Sequence, residues 1–192
     1  VAIPSIDVRK GPEVIYAPPA GAQRFATANY RGGAVALRRD YFQEAGAYDA
    51  RLYRQGEERD LALRLMRRGR LFVMADIPPL HHHESVRRVK SATFYYNARN
   101  AMLFCWWRAP FVLIPSYLCI RSFNLLREGF QHGFPLAALR GLLAGHAYAW
   151  WSIRSRDPAR YALFQTFEWL RRHGPKPLDE VRSRLIPKVA CD

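Results

Sequence analysis

The rhythm of apolar and polar positions changes once along this chain, near residue 90. Before it, short apolar runs alternate with polar, glycine-punctuated segments; after it, apolar and aromatic residues continue with few breaks. In the first part, VAIPSIDV reads as a strand already in progress, and AVALRR (34–39), after Gly32-Gly33, as a short strand. RDYFQEAGAYD gives one or two helical turns that stop at Gly46. The strongest helix is EERDLALRLMRRG. Leu61 and Leu65 stand one turn apart and are expected in the core. Glu57, Glu58 and Asp60 sit at its positive end, Arg64, Arg67 and Arg68 at its negative end, and Gly69 closes it. Asp60 and Arg64, four apart, can pair for about 0.3 kcal/mol. LFVMA (71–75) is a short apolar run suited to a buried strand, ended by Pro78 and Pro79. Alternating signals of this kind predict a mixed α/β fold.

Beyond Lys90 the pattern is helical. Pro110 and Pro115 are expected to break it into pieces, PLAALRGLLAGHAYAWWSI is a further apolar piece, and no internal repeat is present. Asp157-Pro158 reads as the cap and first residue of a helix that reaches His173, before Gly174. From Pro175 the chain reads as a polar, loosely held tail. The expected organisation is therefore 1–90, 91–174 and 175–192.

Charge sharpens this division. Thirty Lys and Arg against sixteen Asp and Glu give +14, with arginine dominant. Residues 1–86 hold 13 basic and 10 acidic groups, +3; residues 87–192 hold 17 and 6, +11. Such a balance points to an anionic partner. Cys105, Cys119 and Cys191 are too few and too irregular for a disulfide framework or a zinc site. A membrane span needs roughly 20 mostly apolar residues. The uncharged run 109–120 has 12. The second part is thus expected to lie along an anionic membrane surface, with Trp106, Trp107, Trp150, Trp151 and Trp169 at headgroup level. A soluble helical subdomain with its aromatic faces packed together is the alternative.

The acidic helix start carries the first candidate chemistry. A carboxylate there faces orphan backbone N–H groups, which favours its ionised form and suits a general base. Plain complementation of the helix dipole explains the same residues. His81, His82 and His83 follow the predicted strand. On an extended segment His81 and His83 share one side. Imidazole beside carboxylates can hold a divalent metal, although no second ligand pair at metal spacing accompanies them.

The segment RGGAVALRRDYFQEAGAYDARLYRQGEERDLALRLMRRGRLFVMADIPPLHHHES, followed by YYNARNAMLF, resembles the C-terminal half of the catalytic domain of family 2 glycosyltransferases, nearest the inverting, rhamnosyltransferase-like enzymes. The resemblance covers about residues 30–85. It implies a partial GT-A fold: a mixed sheet followed by an amphipathic helical region. It implies that Glu58 is the base, beside Glu57, with Asp60 in reserve because Asp is commoner at the place of Glu58. It implies metal or diphosphate contact by His81, with His83 in reserve, and a substrate-lining segment at Arg31, Gly32 and Gly33, flanked by Arg38 and Arg39. The acids and His81 are expected to border one hollow. The implied partners are a nucleotide-sugar donor and a glycan or lipid-linked acceptor, with a divalent cation, Mg or Mn, in the complete enzyme. The implied location is the cytoplasmic face of the plasma membrane, held peripherally. The family's Asp-x-Asp element does not occur in the 192 residues, so the chain is expected to be an acceptor-side half. A non-catalytic membrane scaffold and a basic nucleic-acid binder are the rival classes, the second weakened because the aromatics sit within apolar runs.

Overall fold

The computed structural model describes residues 1–3, 5–7, 14–16, 24–77, 80–82 and 90–185, and only the backbone of 5–7, 14–16, 80–82 and 90. It is a mixed α/β protein, mostly helical, in two compact units that interleave along the chain. One comprises Val1–Ala47, Leu61–Glu84 and Ala162–Asp192; the other, Tyr48–Asp60 and Ser85–Tyr161.

The first unit contains the strands. β1 (Ser5–Asp7) lies between β2 (Val14–Tyr16), antiparallel, and β5 (Leu80–His82), parallel. A second sheet has β3 (Phe25–Thr27) at its centre, antiparallel to both β4 (Phe72–Val73) and β6 (Lys176–Pro177). All three residues of β3 are buried, as a central strand requires. Two consecutive helices, α1 (Arg39–Glu44) and α2 (Glu57–Arg67), are tied together by the basic end of α2. Arg64 donates to the carbonyls of Ala45 and Ala47, and Arg68 Nε to Glu44 O at 3.1 Å, so guanidinium groups satisfy the carbonyls left open where α1 ends. Leu61 and Leu65 are buried as the periodicity requires, and the turn that ends α2 closes at Gly69, whose φ of +70° is left-handed. α6 (Tyr161–His173) buries Phe164, Phe167 and Leu170, and α7 (Leu178–Leu185) buries Val181.

The second unit is built on α3 (Lys90–Arg108), α4 (Ile114–Gln131) and α5 (Pro135–Trp151). Gly141 and Gly145 let α5 lie directly on α3. A Cβ on Gly145 would stand 2.6 Å from Arg99 O and 2.7 Å from Met102 Cβ, and one on Gly141 2.9 Å from Ala98 Cβ. Ala98, Ala101, Met102, Leu125 and Leu142 pack as one core cluster; Leu52, Leu103, Trp107 and Ala149 form another. Leu52 belongs to the 48–60 strap, which is why that strap folds with the helices.

Several expectations are corrected. Residues 34–39 make isolated bridges, Ala2 with Val35 and Arg31 with Ala34, and no extended strand. Pro115 does not interrupt a helix but sits in the first turn of α4, where its missing N–H costs nothing. Asp157 caps no helix: its N–H donates to Trp107 O at 2.9 Å, and α6 begins only at Tyr161. Of the expected tail, residues 176–185 are ordered, because β6 pairs with β3 and α7 follows it, and 186–192 lie outside the described residues. Trp107 is fully buried, its Nε1 donating to Ser152 Oγ at 3.0 Å with the Arg51 guanidinium 4.3 Å from its ring, so it cannot sit at a headgroup layer. Among the described residues no helix is long and apolar enough to cross a membrane.

Candidate functional site

The site grows out of an unusual turn. Arg54, Gln55 and Gly56 take φ of 54°, 64° and 95°, three left-handed residues in succession, two of which carry a Cβ. Left-handed backbone at a residue with a Cβ costs about 1 kcal/mol or more, so something must hold it. Asn100, on α3 and 2% exposed, does so. Its Nδ2 faces three successive carbonyls, Tyr53 O at 3.3 Å, Arg54 O at 2.6 Å and Gln55 O at 2.7 Å. Arg99 Nη1 donates to Asn100 Oδ1 at 2.7 Å and to Arg51 O at 2.9 Å, fixing the amide's orientation and the start of the strap. Arg51 is in turn forked onto Asp49 and donates to Ser155 Oγ at 2.7 Å. Burial pushes the Asp49 carboxyl up, and the hydrogen bonds and charge of Arg51 more than offset it, leaving Asp49 below the ordinary carboxylate range.

The turn ends where α2 begins. Gly56 O accepts the N–H of Asp60 at 3.0 Å, the first helical hydrogen bond. Arg54, Gln55, Gly56, Glu57, Glu58 and Thr93 line a hollow of about 370 Å³. Glu57 is half-buried; burial raises its carboxyl above the ordinary value of 4.5, its own backbone N–H partly opposes this, and the neighbouring charge of Glu58 adds to it. Its Oε2 is buried and has no hydrogen-bond partner among the described residues. Glu58, also half-buried, borders the same hollow. The two carboxylates expected from the sequence are therefore brought together at one opening.

Asp60 is differently placed. It is 0% exposed and gripped by Arg108, Nε to Oδ1 at 2.6 Å and Nη2 to Oδ2 at 3.5 Å, while Arg108 Nη1 lies 3.5 Å from Asp157 Oδ2. This is a buried counter-ion, shut off from any acceptor in the hollow. In the first unit, Arg31 to Ala34 form a tight turn closed by Ala34 N–H to Arg31 O at 2.8 Å, with Gly32 and Gly33 exposed and open space where a Gly33 Cβ would lie. Arg38 is forked onto Asp40 and lies 4.2 Å from the Tyr41 ring centroid, a solvated arrangement. The side chain of His81 and all of His83 lie outside the described residues, and with them the expected shared hollow; the His81 backbone is paired with Ile6 in β5. Among the described residues no group of His, Cys, Asp and Glu is placed to hold a metal ion, so no step is assigned to the implied divalent cation.

Arg54, Gln55 and Gly56 of the turn, and Thr93, Arg99 and Asn100 on α3, are the site residues that sequence reasoning missed. The signal was present: an Arg-Asn pair inside an aromatic, apolar helix. A buried amide in such a place needs partners. Comparison of the chain with protein-family models, with curated proteins and with solved structures gives no match.

Proposed function

We propose that the chain is the acceptor-side part of an inverting glycosyltransferase of the GT-A type, which moves a sugar from a nucleotide-sugar to a hydroxyl of a glycan or lipid-linked acceptor. The observation that carries this reading is the polar hollow at the start of α2, where Glu57 and Glu58 open together beside a strained, clamped turn. Strain held at one place by a dedicated buried side chain is characteristic of functional sites.

The chemistry is an in-line displacement. The acceptor oxygen attacks the anomeric carbon, a carboxylate takes the hydroxyl proton, and the bond to the diphosphate breaks with the electron pair leaving on the diphosphate. Glu58 has the base role by resemblance. Glu57, whose proton affinity is raised by burial, assists it or holds the acceptor hydroxyl through its unpartnered oxygen. Asp60 fixes the start of the helix through Arg108 and takes no part in proton transfer. Arg31, Gly32 and Gly33 have the substrate-lining role by resemblance alone.

The test is a sugar-transfer assay with a panel of nucleotide-sugars, run on the full-length gene product. Glu58→Gln should lower turnover by about 10²- to 10⁴-fold with donor binding retained. Full turnover in the Glu57→Gln, Glu58→Gln double variant would end the proposal.

A further inference from the structure

The α4–α5 hairpin presents large apolar side chains to solvent at helical spacing. Phe123 and Phe130 on α4 are 66% and 71% exposed; Leu136, Leu143 and Trp150 on α5 are 68%, 62% and 75%; Trp151 reaches 87%. Two adjacent, nearly bare tryptophans at a helix end are beyond the scattered apolar exposure of an ordinary surface. Arginines are interleaved on the same stripes. Arg127 falls between Phe123 and Phe130, Arg140 between Leu136 and Leu143, and Arg154 follows Trp151; all three are exposed. Residues 111–160 hold six arginines against Glu128 and Asp157 alone, a net +4.

This mixture selects the occupant. A second copy packed face to face across a two-fold axis would set arginine stripes against arginine stripes. An apolar protein partner would bury the guanidinium groups without counter-charges. A sheet of anionic phospholipids matches both components, because rings and aliphatic side chains enter the headgroup and upper acyl region while guanidinium groups reach phosphates. We infer that the outer face of the α4–α5 hairpin docks along an anionic phospholipid bilayer, with Trp150 and Trp151 in the headgroup layer and Arg127, Arg140 and Arg154 on lipid phosphates. The hairpin lies on the surface, since no described helix can cross it.

The test is co-sedimentation of the 192-residue chain with vesicles of phosphatidylcholine alone and of phosphatidylcholine with phosphatidylglycerol. No sugar donor is present, so the outcome is separate from that of the transferase reading. Binding to the phosphatidylglycerol vesicles should be at least about tenfold tighter, with a part that survives high salt. Trp150→Ser, Trp151→Ser should lower binding about tenfold or more at both salt concentrations. Arg127→Gln, Arg140→Gln, Arg154→Gln should abolish the preference for phosphatidylglycerol and keep the salt-resistant part. All the substituted side chains are exposed, and circular dichroism should show unchanged helix content. Binding unchanged in the tryptophan variant, or absent from both vesicle types, overturns the inference. So does a dimer in analytical ultracentrifugation that the tryptophan variant dissolves, or single-stranded DNA binding that the arginine variant alone removes.

Discussion

Glu57 ties stability to pH through its own carboxyl. Its folded pKa lies above the ordinary 4.5, so between 4.5 and that higher value the folded chain holds a proton that the unfolded chain has lost. Stability therefore falls as pH rises through this window. Glu57→Gln removes this pH dependence. In urea titrations at pH 4, 5, 6 and 7 the variant should lose less stability than the native chain as pH rises, and parallel curves would show that burial does not perturb this group. Asn100 acts differently, by holding the turn that presents Glu57. Asn100→Ala leaves three clustered carbonyls without their donor, a loss of about 1–3 kcal/mol. If the turn positions the base, transfer should fall in kcat with little change in KM; a stability loss with kcat intact would make the clamp purely structural. The two residues also differ in legibility. Acids at a helix start follow from charge and spacing, whereas the partners of Asn100 lie 45 to 47 positions away, a pairing that periodicity does not encode.

At the level of elements, what was legible was local. α2 could be read end to end, because the acids at its start, its apolar stripe and Gly69 are local signals, whereas the partner of Asp60, Arg108, lies 48 positions away and was not legible. β6 and α7 could not, because Lys176–Pro177 is a strand only by pairing with β3, about 150 residues earlier. Asp157 misled for the same reason: its N–H goes to Trp107 O rather than into a new helix. Among the helices, the seam of α3 and α5 is closely fitted. Gly145→Ala gains up to about 1 kcal/mol of helix propensity. The new Cβ would stand 2.6 Å from the Arg99 carbonyl, which is backbone and cannot turn aside. Overpacking of this kind costs about 1–3 kcal/mol, so sterics win and the midpoint of thermal unfolding should fall. An unchanged or raised midpoint would show that α5 can slide away from α3 at little cost.

The whole molecule does not divide where the sequence changes character. A linear cut would isolate 91–174 as a helical piece, yet the helical unit includes Tyr48–Asp60 and ends at Tyr161. That strap supplies Asp60 to buried Arg108, three carbonyls to Asn100, and Leu52 to the cluster around Trp107. Removing one partner of a buried ion pair costs about 3–5 kcal/mol, because the remaining charge stays desolvated. The carbonyls and Leu52 add to that, and the total approaches the whole stability of a small domain, about 5–15 kcal/mol. Residues 91–174 expressed alone should therefore lack a cooperative unfolding transition and have poorly dispersed NMR signals. A single chain joining 48–60 through a flexible linker to 85–161 should restore both. In that chain Asp60→Asn, which keeps shape and removes the charge, should again weaken folding by several kcal/mol. Cooperative folding of 91–174 without the strap would mean that the strap docks onto helices already stable, and that Asn100 and Arg108 tolerate the loss of their partners in the strap.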